Sequence, residues 1–211
     1  MRTLTYTGIA LAGLLSLSTA TPAQAGPPTD QLKAAVDQVI VILQDPALKA
    51  EAKTEQRRAA IRQVAGGTFD FAETARRALG RHWQNLTDQE REEFAALFTD
   101  LLEWAYVARI EQYSGEPVVY AGERVEGDVA TVSTRFVTKK GPEVPVQYRM
   151  LRRGDRWRVY DVQVEGVSLV SNYRSQFNKI IETASYKELV ERLRSRREEF
   201  TAPAPTGPRK S

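Results

Sequence analysis

The sequence predicts one α+β domain: N-terminal helices, then a four-stranded antiparallel curved sheet, then C-terminal helices. Three observations predict it. Apolar residues recur at helical spacing up to about residue 108, alternate with a period of two between residues 118 and 164, and return to helical spacing after residue 169. The turns between the alternating runs are short, which makes those runs antiparallel neighbours. The middle strands are apolar on one side only, so the sheet needs a helical cover.

Taken in order, residues 1–25 read as a secretory signal, with Arg2 as a minimal positive start, an apolar run from Ile9 to Leu17, and a small-residue cleavage site at Ala23-Gln24-Ala25. The mature chain is expected to start near Gly26, as a bacterial exported protein. The apolar run is shorter than the roughly 20 residues that span a bilayer, which favours cleavage over an anchor. Leu32, Ala35, Val36, Val39, Ile40 and Leu43 form one helical stripe that ends before Pro46. A second helix is predicted from Glu51 to Ala65, stopping at Gly66-Gly67. Asp70 with Glu73 has the capping-box pattern and opens a short helix ending near Gly80. Thr87 with Glu90 repeats it and opens the longest helix, whose stripe runs Phe94, Leu97, Phe98, Leu101, Leu102, Ala105 and Ala108 as far as Ser114-Gly115.

Strands are predicted at Val118–Arg124, Val129–Thr138, Val144–Arg152 and Arg156–Val164, separated by turn-forming Glu126-Gly127-Asp128, Lys139-Lys140-Gly141-Pro142 and Gly154-Asp155. Val144, Val146, Tyr148 and Met150 share one face, and Gln147, Arg149 and Arg153 the other. Leu169, Val170, Tyr173, Phe177, Ile180 and Ile181 form a further helical stripe, and Ser185 with Glu188 starts a last charged helix through about Phe200. The domain therefore spans residues 26–200, and the Pro-rich tail, residues 201–211, is predicted to be disordered.

Composition narrows the chemistry. The 211 residues contain 30 Lys plus Arg against 27 Asp plus Glu, one His and no Cys. Removing residues 1–25 takes away only Arg2, which lowers the formal charge of +3 by one. That is too weak a balance to argue for nucleic acid. With a single histidine and no cysteine, the common zinc, thiol and multi-histidine sites are excluded, and no glycine pattern matches a phosphate-binding loop. No metal, cofactor or catalytic residue is predicted. His82 follows a helix end, where an ordinary hydrogen bond explains it. Asp161, inside a strand, needs water or a partner; alternation turns it away from Tyr160, Val162 and Val164, so an outward ion pair with a neighbouring-strand arginine is expected. An exported enzyme using Asp161 or His82 as base is the weaker alternative, and an envelope scaffold that binds a peptide in an apolar groove a third.

The large rings, from Phe69 and Phe71 through Phe98 and Tyr106 to Tyr173 and Phe177, are spread over helices and sheet. A curved sheet under helices often keeps a hollow between its layers, and here such a hollow would be apolar. Val159-Tyr160-Asp161-Val162, Glu165-Gly166-Val167-Ser168-Leu169-Val170 and Asn172-Tyr173-Arg174-Ser175-Gln176-Phe177 resemble the signature of the MlaC family of toluene-tolerance proteins, the periplasmic phospholipid-binding component of the Mla ABC transport system. Ala78-Leu79-Gly80-Arg81, Trp83 and the helix opening at Thr87 to Phe94 extend the likeness, which covers about residues 30 to 195.

The resemblance implies a nuclear-transport-factor-2-like fold and a monomeric carrier that holds phospholipid acyl chains inside. It also implies exchange with an outer-membrane lipoprotein complex and with an inner-membrane ABC transporter bearing a periplasmic substrate-binding ring. Membership of the wider family does not fix the lipid, and another lipid such as a hopanoid is the alternative. The residues expected to line the cavity are Phe98, Leu101, Leu102 and Tyr106 on the long helix, Phe136, Val146, Tyr148 and Met150 on the middle strands, and Val164, Val167, Leu169, Val170, Tyr173 and Phe177 around the last strand-to-helix joint. Arg81, Arg149 and Arg174 are weaker candidates for a mouth or docking surface.

Overall fold

The computed structural model describes residues 26–137 and 141–201. The expected signal segment, Thr138, and all of the tail except Thr201 lie outside them. The described chain runs α1 (Pro27–Gln44), α2 (Thr54–Thr68), α3 (Phe71–Leu79), α4 (Asp88–Glu111), β1 (Val118–Glu126), β2 (Val129–Phe136), β3 (Val144–Arg153), β4 (Arg156–Val164), β5 (Val167–Ser168), α5 (Leu169–Thr183) and α6 (Tyr186–Thr201). Short 3-10 turns at Pro46–Leu48, Glu51–Lys53 and Gly80–Asn85 fill the helical half. No described helix is long and apolar enough to cross a membrane.

The α+β architecture is as expected, with one strand more. The sheet is an antiparallel meander in the order β1-β2-β3-β4-β5. The added β5 pairs only Gln163 with Ser168 and Val164 with Val167, too short for alternation to reveal. Its connection is a two-residue turn, Glu165-Gly166, with φ of 51° and 80°. Positive φ at both positions suits the right-handed twist of the flanking strands, and Glu165 bears the steric cost that Gly166 escapes.

Helix boundaries follow the capping signals. The Asp70 side chain accepts from the Glu73 N–H at 3.0 Å, and Thr87 and Glu90 form a reciprocal capping box at the head of α4. The Gly66-Gly67 stop is corrected: α2 continues through both glycines to Thr68. It ends where tertiary contact pulls the chain into extended form, since Phe69 bridges Val159 in parallel and the Asp70 N–H donates to the Val159 carbonyl at 2.8 Å. Docking onto β4, not glycine propensity, sets that boundary.

Two cores result. One is helical, built from Ala75, Ala78 and Leu79 of α3, Phe94, Leu97 and Phe98 of α4, Phe177 of α5, and Leu189, Val190 and Leu193 of α6. The other lies between α1 and the sheet, joining Leu32 to Ala130, Val132, Met150, Trp157 and Val159. Edge strand β1 holds the start of α1: the Thr29 N–H donates to Glu123 Oε2 at 2.7 Å, a carboxylate where the helix dipole favours one. At the other end of the helical layer, Glu111 near the end of α4 accepts from Arg57 at 2.7 Å and Arg58 at 3.0 Å, clamping α4 to α2.

Candidate functional site

The helical core is centred on aromatic rings. Phe94 and Phe98, four residues apart and so on one face of α4, stack at 5.8 Å between centroids. Phe177 meets both edge-on, at 5.6 and 5.2 Å, and Tyr173 meets Phe98 edge-on at 5.0 Å, the arrangement ring quadrupoles prefer. Burial, with a side-chain hydrogen bond to Tyr106, pushes the Tyr173 hydroxyl up to about 12. Toward its C-terminal half α4 loses cover: Leu101, Leu102 and Tyr106 are half-buried and Trp104 is exposed.

The α1 stripe behaves the same way. Leu32 is buried, but Val36, Val39, Ile40 and Leu43 are only half-buried. Opposite α1, Tyr148 packs against the sheet core with Tyr120 and Val162. Burial pushes the Tyr148 hydroxyl up to about 12, a hydrogen bond to Thr134 pulling the other way. Its side chain nevertheless keeps accessible surface.

Eight of the fourteen predicted lining residues fall into two groups of contacts. Phe98, Leu101, Leu102, Tyr173 and Phe177 belong to the helical core, with Tyr106 tied to it through Tyr173. Met150 and Tyr148 belong to the sheet core. Phe98, Phe177 and Met150 are fully packed, and Val146 and Val170 are also buried. Phe136 and Leu169 are half-buried, while Val164 and Val167 are 36% and 61% exposed. The sequence showed the stripe of α1 but not that most of it stays half-buried, and it did not point to Tyr120 beside Tyr148.

The outward placement of Asp161 is corrected. Its side chain is 3% exposed, with Oδ2 accepting from the Ser168 hydroxyl at 2.7 Å and Oδ1 from the Val170 N–H at 3.1 Å. The register slips between Arg149 and Met150, which face Asp161 and Val159. That bulge leaves Tyr160 unpaired in the register, but Asp161 still shares its face with Arg149, away from Val162 and Val164 as expected; it is buried because the β5–α5 joint folds over that face. The expected strand arginine is present but peripheral, Arg149 lying 4.0 Å away. Asp161 thus caps the joint from β5 to α5. His82 Nε2 lies 3.0 Å from Asn178 Oδ1 on a later turn of α5. Among the described residues no His, Asp or Glu group is arranged to hold a metal.

A pocket of about 650 Å³ opens elsewhere, among Leu43, Gln44, Lys49, Arg57, Glu111, Tyr113, Ser114 and Gly115. None of the predicted lining residues borders it, and the Arg57–Glu111 pair makes its wall polar, so it does not suit alkyl chains.

An antiparallel meander with an incompletely covered apolar face, set beside an aromatic helical core, defines a class of α+β binding folds. The MlaC protein family model matches residues 33–195, and the chain belongs to that family. The intermembrane phospholipid transport system binding protein MlaC of Haemophilus influenzae is 23% identical over 122 residues, which is 56% of this chain and 57% of that protein. The chain thus matches little more than half the length of that relative. A Ralstonia solanacearum phospholipid-binding protein, solved in complex with a phospholipid, superposes with a TM-score of 0.71 and 26% identity, over 84% of this chain and all of the other.

Proposed function

We propose that the protein is a periplasmic lipid carrier that holds phospholipid acyl chains between its two cores and moves them between an outer-membrane lipoprotein complex and an inner-membrane ABC transporter. The observation that carries this reading is the likeness, over 84% of this chain and all of the other, to a chain solved with phospholipid bound. The half-buried apolar residues support it, because they line the seam where neither core is closed. Leu101, Leu102, Tyr106, Leu169 and Tyr173 form the helical wall, and Phe136 and Tyr148, with the buried Val146 between them, the sheet wall. Phe98, Phe177, Met150 and Val170 back these walls, and Val164 and Val167 sit at the rim.

The physics requires such a wall. At roughly 0.8 kcal/mol per methylene, a diacyl lipid with about thirty methylenes faces a cost on the order of 20 kcal/mol in free water. Release is then driven by the partner or membrane that receives the chains. Asp161 and His82 act structurally, since the hydrogen bonds of the Asp161 carboxylate hold the β5–α5 joint. Native mass spectrometry and lipid extraction of the purified protein test the proposal. Co-purifying phospholipid is expected; no lipid, together with no uptake from vesicles, refutes it.

A further inference from the structure

Six guanidiniums form one contiguous surface over α3, the turn after it, β3 and α5. Arg76 and Arg77 both hold Glu73, at 2.6 and 2.7 Å. Arg153 bridges Asp70 at 2.8 Å and Glu73 at 3.6 Å. Arg77 lies 4.0 Å over the Tyr160 ring, and the next residue, Asp161, faces Arg149. Arg174 Nε donates to the Arg77 carbonyl at 2.8 Å. Further along α5, Arg81 pairs with Glu182 and donates to Asn178 at 3.0 Å.

The charges are layered, not evenly mixed. The Asp70, Glu73 and Asp161 side chains are 14%, 8% and 3% exposed, with Glu182 alone of the four at the surface at 51%, whereas those of Arg149, Arg153 and Arg81 are 47%, 51% and 67% exposed. Carboxylates buried beneath guanidiniums leave the outward field positive even where charges nearly balance. The four acids, Asp70, Glu73, Asp161 and Glu182, also fall short of the six arginines. Each exposed fork retains N–H donors suited to phosphate oxygens.

We propose that this face docks the protein on an anionic phospholipid bilayer. A bilayer fits better than an acidic protein, because a protein interface of ordinary size has an apolar centre. None of the exposed large apolar side chains belongs to α3, β3 or α5. Docking here is separate from lipid loading: the arginines hold headgroups at the surface, and the seam takes chains.

Flotation of the full chain with vesicles tests the proposal. Vesicles of phosphatidylcholine alone are compared with vesicles containing about one-third phosphatidylglycerol. The wild type is expected to float with the anionic vesicles alone, and added salt to release it. The triple variant Arg81→Gln, Arg149→Gln, Arg174→Gln is expected to lose about a hundredfold in partitioning, roughly fivefold per arginine. A control triple, Lys33→Gln, Arg124→Gln, Arg192→Gln, removes the same charge elsewhere and is expected to bind like the wild type. Should the patch variant melt early, the three single substitutions read the same effect. Equal flotation with neutral vesicles, or equal loss in the control, overturns the proposal. Lipid extracted from the patch variant matches the wild type if docking alone has failed, which separates this outcome from failure of the carrier reading.

Discussion

Replacing Asp161 with alanine removes the carboxylate that ties β4 to the head of α5. Three contributions are lost. The buried hydrogen bond from the Val170 N–H has a charged acceptor, for which a loss of about 1.5–3 kcal/mol is typical, while the half-buried Ser168 hydroxyl turns to water at little cost. The negative charge at a helix N-terminus adds about 0.3–1 kcal/mol. The Val170 N–H is then left without its acceptor beneath a residue that is 4% exposed, a penalty that overlaps the first figure. The sum is about 3 kcal/mol, little screened because the group is buried. For a domain of this size that corresponds to a fall in Tm of about 6–12 °C by calorimetry. Asparagine keeps one acceptor and loses the charge, so Asp161→Asn is expected to cost about a third to a half as much. Both variants, kept well below their Tm, are expected to retain bound lipid. An alanine variant as stable as the wild type refutes the capping argument, and one that stays folded but loses a chemical activity would point to an enzyme.

Four further outcomes are expected. Phe98→Ala opens a hole in a fully packed ring cluster and lowers stability by about 3–5 kcal/mol in urea unfolding, whereas Leu102→Trp fills the half-buried wall and lowers lipid uptake from vesicles with little change in stability. Glu165→Gly relieves the positive φ of the β4–β5 turn and raises stability by about 0.5–1 kcal/mol, read as an increase in Tm. Burial raises the Glu73 carboxyl, but the Arg76 and Arg77 hydrogen bonds and charges outweigh it and leave the group below the usual glutamate range. Its contribution is therefore present above about pH 4.3 and lost as pH falls through the lowered value, so wild type and Glu73→Gln differ in Tm at neutral pH and converge in acid. Tyr148 and Tyr173, both pushed up to about 12, stabilise the fold below about pH 10; this is lost as pH rises toward their folded values, visible as late tyrosinate absorbance coinciding with alkaline unfolding.

Much of the fold was legible because it rests on local signals. The caps at Asp70 and Thr87, the change of period at Val118 and the short turns between strands all act within a few residues. Where a distant partner decides, sequence pattern misled: α2 runs through two glycines because β4 fixes Phe69, and Asp161 is buried on the face alternation gave it because the head of α5 covers it. The candidate site was legible in residue type but not in arrangement. Phe98 and Leu102 lie on one helical stripe, and only packing separates the ring enclosed by Phe94, Tyr173 and Phe177 from the leucine left half-covered.

The division into two cores that meet at β4 bears on motion. Each core has its own fully buried centre, Phe94 with Phe98 in one and Val132 with Met150 in the other. Parting the seam between them therefore exposes half-wet side chains and leaves both centres shut. Backbone amides in β2, β3 and the turns of α4 around Leu97 and Phe98 should accordingly exchange with deuterium only on global unfolding, while those along α1 and the last turns of α4 exchange through smaller openings and slow down when the interior is loaded.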